Sequence, residues 1–159
     1  MTDAVVWRIA TDTPDYEADD LGGKGAEITG GRWNRKGTPV IYASTSRALA
    51  CLETVVHLGG GNPLPLNRYL VEITIPAALW ESAVEFEPAR HIGWDAEPAG
   101  KVSLDWGTGW VRGKTSLLAR VPSVIVPEEH NVLINPLHED AGRIRAIKVR
   151  KWTYDQRLK

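Results

Sequence analysis

The stretch 30–60, GGRWNRKGTPVIYASTSRALACLETVVHLGG, holds side chains with the chemistry to make a site. Arg32 follows two glycines, where the backbone can come close to another group. A guanidinium on a tight loop suits bidentate capture of phosphate or carboxylate. Glu53 sits inside an apolar helical pattern, with His57 one turn further on. Trp33 and Tyr42 offer flat faces, for core packing or for stacking on a ring. Together, Arg, aromatic and Glu describe a pocket for a charged ligand that carries a flat ring. Each also has a plainer reading: Arg32 as a surface ion pair, Trp33 as core, Glu53 as a solvated helix residue.

The elements that must hold these residues follow from the pattern. Residues 5–9 read as a strand, and 11–31 as a polar, glycine-rich loop. A second strand is expected over 39–43, carrying Tyr42. Ser44, Thr45 and Ser46 then precede a helix over 47–58, and one of them is its expected N-cap. Leu49, Leu52, Val55 and Val56 form the expected buried stripe, with Glu53 at its edge beside the small Ala50, where a groove can open. Gly59, Gly60 and Gly61 are expected to stop this helix. Residues 68–75 alternate as a strand that Pro76 ends, and 77–101 look loop-like. A helix over 102–111 puts Trp106 and Trp110 on one face. Residues 115–126 read as two short strands or one bent at Pro122, followed by strands at 131–134 and 144–152. Strands outnumber helices without alternating regularly with them, which predicts one α+β domain over 1–159.

Several function classes are disfavoured. A net charge of −1 offers no basic excess for a phosphate backbone, so direct nucleic-acid binding is not expected. No apolar run is long enough for a membrane span, and the start lacks the basic-then-apolar pattern of a secretory signal. Cys51 is the single cysteine, consistent with a reducing cytoplasm. Gly113-Lys114-Thr115 resembles the end of a phosphate loop, but the required first glycine falls on Thr108. No G-x-G-x-x-G opens a helix, and no G-x-S-x-G marks a serine nucleophile. The four histidines have no metal-ligand spacing.

GGRWN (30–34), the strand with Tyr42, ALACLETVVHL (48–58), ARVPSVIVP (119–127) and HNVLINP (130–136) resemble the RES domain family. The resemblance extends from the first strand to the terminal DQRL (155–158) and is weakest over 77–100. It implies an ADP-ribosyltransferase-like fold, with a mixed or antiparallel β core and short flanking helices. Arg32, Glu53 and Ser123 would be the residues that name the family. It further implies a toxin that consumes NAD+ as substrate, with no prosthetic group and no metal. The reaction would be cleavage of the nicotinamide–ribose bond, by a glycohydrolase, phosphorylase or ADP-ribosyltransferase. The implied partners are an Xre-like helix-turn-helix antitoxin and a possible protein target. By this resemblance Arg32, Tyr42 and Glu53 are catalytic, and Arg32, Trp33, Tyr42, Ser123 and Asn135 bind NAD+, with Asn131 in a similar supporting role. Ser44, Thr45 and Ser46 receive no catalytic role. The alternative is a nucleotide-binding or regulatory module that keeps the pocket without turnover.

Overall fold

The computed structural model describes residues 2–58 and 63–158. In chain order the elements are β1 (Ala4–Thr11), α1 (Lys24–Thr29), β2 (Ile41–Ser44), α2 (Arg47–Val55), β3 (Arg68–Ile75), α3 (Ala77–Glu81), β4 (Val84–Glu85), α4 (Lys101–Gly113), β5 (Leu118–Pro122), β6 (His130–Ile134) and β7 (Arg145–Lys151). The seven strands form one sheet in the order β4-β5-β6-β2-β1-β3-β7, antiparallel except for β4 beside β5. The expected α+β class is therefore the observed one.

Alternation along the strands sends apolar side chains to both faces. Val6, Ala10, Ile41, Ala43, Val71, Ile73, Val132 and Ile134 build one core. On the other face the core is split. Trp7, Ile9 and Leu70 pack with Ala50 of α2. Leu133, Ala119 and Val121 pack with Trp33, Phe86, Trp94 and the α4 residues Trp110 and Val111.

The sheet is nearly torn between those two patches. β1 pairs with β3 along its whole length, from Ala4↔Ile75 to Thr11↔Arg68. With β2 it shares one register pair, Trp7↔Ser44. Beyond that point Arg8–Thr11 stay with β3, while Ile41–Ala43 stay with β6. The strands splay, and a cleft opens between them.

Local signals account for the elements that matched expectation. Ser46 caps α2, its hydroxyl accepting from Leu49 N at 3.1 Å. Trp106 and Trp110 stack along α4, 6.4 Å apart and 7° from parallel. Other expectations need correction. The 11–31 region contains α1, and 77–101 contains α3, β4 and a 3₁₀ turn at Pro88–Arg90. These pieces are too short for periodicity to reveal, and tertiary pairing holds them: β4 consists of Val84↔Ala119 and Glu85↔Arg120. Within 115–126 the one-strand alternative holds: β5 ends at Pro122, and a turn follows in which Ser123 N donates to Glu129 O at 2.9 Å. The helix α2 ends at Val55, and Val56 is exposed while Ala50 is buried. The expected glycine stop at 59–61 lies outside the described residues.

Candidate active site

The torn seam opens into a cleft of about 1140 Å³. Its walls include Arg8 and Ile9 from β1, Tyr42–Ser44 from β2, Ala50, Glu53 and His57 around α2, and Arg32 and Asn131. Ala50 lines it, so the small residue beside Glu53 does leave room on that flank.

Glu53 is half-buried, and one of its oxygens is firmly held. Its Oε1 accepts from Ser123 Oγ at 2.7 Å and from Asn131 Nδ2 at 2.8 Å. Ser123 is itself oriented, since its hydroxyl accepts from Ile125 N and Val126 N, both at 3.1 Å. Ser123 is fully buried and is not part of the cleft wall, so it acts on Glu53 from behind. A half-buried carboxylate with one oxygen anchored by two donors has its second oxygen aimed in a fixed direction. That is the arrangement needed to stabilise a positive charge that develops nearby.

The turn bearing Arg32 is built by a second set of bonds. Tyr42 Oη donates to Asn34 Oδ1 at 2.6 Å and accepts from Trp33 N at 3.0 Å. Asn34, fully buried, also donates to Ala26 O and Thr38 O, both at 2.9 Å. A Cβ on Gly31 would stand 2.7 Å from Tyr42 Oη, so glycine is required for this contact. Burial raises the Tyr42 phenol well above its ordinary pKa, so it stays protonated and keeps donating. Tyr42 lines the cleft while its hydroxyl is committed to the turn.

Arg32 lines the cleft with three of its five N–H groups engaged by one neighbouring segment. Its Nη1 donates to Trp94 O at 3.1 Å and to Ala96 O at 2.7 Å, and its Nη2 meets Glu97 Oε2 at 2.7 Å. It ties the 94–97 segment to the cleft rim. Trp33 lines the cleft and is at the same time packed into the core. Its ring packs edge-on to Phe86 at 4.8 Å and Trp106 at 5.7 Å, and it is 3% exposed. Asn135 does not line the cleft; it donates to Val111 O at 2.9 Å and accepts from Leu137 N at 3.0 Å. Asn135 belongs to a buried turn, as the chemistry of Asn in turns allows.

Sequence reasoning missed Arg8. In the pattern it is one polar position in an alternating strand. In the fold it sits where β1 leaves β2 and lines the cleft. Its Nε is buried without a hydrogen-bond partner among the described residues. Burial pushes the guanidinium below its ordinary pKa, opposed by Tyr16 and Asp20. An anion in the cleft would give that Nε the partner it lacks.

Among the described residues no helix is long and apolar enough to cross a membrane. A family model described as RES domain matches residues 5–156. The chain is 61% identical over 153 residues to the "Prs ADP-ribosylating toxin" of Sphingobium sp. (strain YBL2), covering 96% of this chain and 94% of that protein. It is 34% identical to the "Toxin Res" of Yersinia enterocolitica, over 91% of this chain and 93% of the relative. It is 35% identical to the "Toxin Res" of Pseudomonas putida, over 97% and 99%. With the RES model spanning all seven strands and these relatives matched nearly end to end, the chain belongs to the RES domain family.

Proposed function

We propose that this chain is a toxin enzyme that binds NAD+ in the cleft between β1 and β2 and breaks its nicotinamide–ribose bond. The observation that carries the reading is Glu53: a carboxylate in a large cleft, one oxygen anchored by Ser123 and Asn131. Breaking the bond sends its electron pair out with nicotinamide, which leaves neutral, and positive charge grows on the ribose as in other oxocarbenium-like cleavages. The free oxygen of Glu53 stabilises that charge and can accept from a ribose hydroxyl. The Tyr42 ring offers a face for the nicotinamide, which is cationic while attached. Arg8 takes the pyrophosphate, which gives its buried Nε a partner. Arg32 then serves mainly by holding the 94–97 segment that shapes the rim.

The nucleophile that captures the ribosyl carbon gives up a proton. The name of the Sphingobium relative, an ADP-ribosylating toxin, supports a protein acceptor here. An active NAD+ consumer must be restrained in its own cell, and an Xre-like helix-turn-helix antitoxin that covers the cleft fits this need. The test is to incubate pure protein with NAD+ and measure free nicotinamide, then to follow intact masses of lysate proteins. Nicotinamide release with a new mass of ADP-ribose on a protein supports transfer. Release without a new mass means water or phosphate is the acceptor. NAD+ that binds and stays intact would leave a nucleotide-binding module instead.

A further inference from the structure

The triplet Ser44-Thr45-Ser46 divides its labour in the fold. Ser46 caps α2, and Thr45 Oγ1 donates to His130 O at 3.3 Å. Ser44 does something else. It is 3% exposed, and its hydroxyl donates to Asn131 Oδ1 at 2.7 Å. Asn131 in turn donates to Glu53 Oε1 at 2.8 Å. Ser44 and Asn131 are register partners on β2 and β6, so their side chains stand side by side on one face. Ser44 is also the β2 residue of the single pair that closes the seam with β1.

We propose that Ser44 is a positioning residue that sets Glu53 through Asn131. A carboxylate only accepts, so Asn131 must turn its Nδ2 toward Glu53. Its Oδ1 is then forced the other way, toward β2, where a carbonyl oxygen without a donor is costly. The Ser44 hydroxyl supplies that donor. Without it, Asn131 gains by swinging its amide into the open cleft that it lines, and Glu53 loses one of its two anchors. Because Ser44 also marks the end of the seam, the aim of Glu53 is tied to where the cleft closes.

The inference rests on the NAD+ reading for its kinetic arm and on geometry alone for its spectroscopic arm. Ser44→Ala should lower kcat for nicotinamide release on the order of tenfold, as lost outer hydrogen-bond partners do at ligand sites, with KM for NAD+ unchanged. In an Asn131→Ala background the same Ser44→Ala change should have no further effect on kcat, because the route through Asn131 is already cut. In parallel, hydrogen exchange of the Asn131 side-chain amide, identified by its loss in Asn131→Ala, should be slow in the parent chain and fast in Ser44→Ala. An equal loss of kcat in both backgrounds, or an Asn131 amide equally protected with and without the Ser44 hydroxyl, overturns the relay. If the parent chain releases no nicotinamide, the NAD+ reading has failed, and the amide comparison alone decides whether Ser44 holds Asn131.

Discussion

Replacing Glu53 with Gln changes charge at nearly constant shape, and the structure says what should follow. Gln keeps an Oε1 that can accept from Ser123 Oγ and Asn131 Nδ2, now held at 2.7 and 2.8 Å. Each bond weakens from the charged class to the neutral one, a loss of roughly 1 kcal/mol apiece. Removing a half-buried charge offsets part of that loss, since desolvation penalises the ionised form. The net effect on stability is about 1 kcal/mol, or roughly 2–4 °C in melting temperature for a chain of this size. Glu53→Ala is different, because it leaves both donors without an acceptor, at about 1–3 kcal/mol each. The catalytic effect should be far larger than the structural one. Losing one aimed electrostatic stabiliser costs turnover on the order of 10²–10³-fold. The assays are nicotinamide release, NAD+ affinity by calorimetry and melting temperature on matched preparations. The expected result for the Gln variant is near-parent stability, affinity within a few-fold of the parent and almost no turnover. Full turnover would refute the catalytic assignment. A Gln variant that melts as early as the Ala variant would show that the charge serves the fold instead.

Arg8→Met should lower NAD+ affinity by about 1.5–3 kcal/mol, the worth of a hydrogen bond to a charged group; unchanged affinity by calorimetry would return the pyrophosphate to another group. Arg32→Ala should instead release the 94–97 segment, seen as faster amide hydrogen exchange there, since three contacts to that segment are lost. Gly107→Ala should destabilise by roughly 1–3 kcal/mol or more in thermal melts, because an added Cβ would stand 1.8 Å from Trp33 O, and only backbone movement can relieve that. The carboxyl of Asp12 is held below its ordinary pKa by the Ala18 backbone N–H and then by Lys148. A depressed folded pKa contributes stability above the unfolded value, about 3.9, that is lost as pH falls through the lower folded one. Asp12→Asn should therefore show a shallower fall in melting temperature than the parent between about pH 5 and 2, with parallel curves counting against the linkage.

The parts of this molecule legible in the sequence are those set by near neighbours. The alternation of 68–75 predicted β3 to the residue, because strand side chains point to opposite faces whatever lies beyond them. The hydroxyl run before 47 predicted a cap, and Ser46 provides it, because the first helical N–H groups lack partners within the helix itself. The marginal place of Glu53 on α2 followed from the helical period alone. What the period could not say is which groups meet Glu53. Ser123 and Asn131 arrive from a turn and a strand 70 and 78 residues away, by way of the pairing of β6 with β5 and β2. Arg32 drew attention through its glycines, yet its partners Trp94, Ala96 and Glu97 lie in a segment with no periodic signal. Trp33 had two readings, and the fold gives it both places: it packs against Phe86 and Trp106 and it also lines the cleft. Arg8 carried no signal at all, because a polar residue in an alternating strand is ordinary. It stands out only because β1 and β2 part after Trp7↔Ser44, and a seam between strands exists only once both are paired elsewhere.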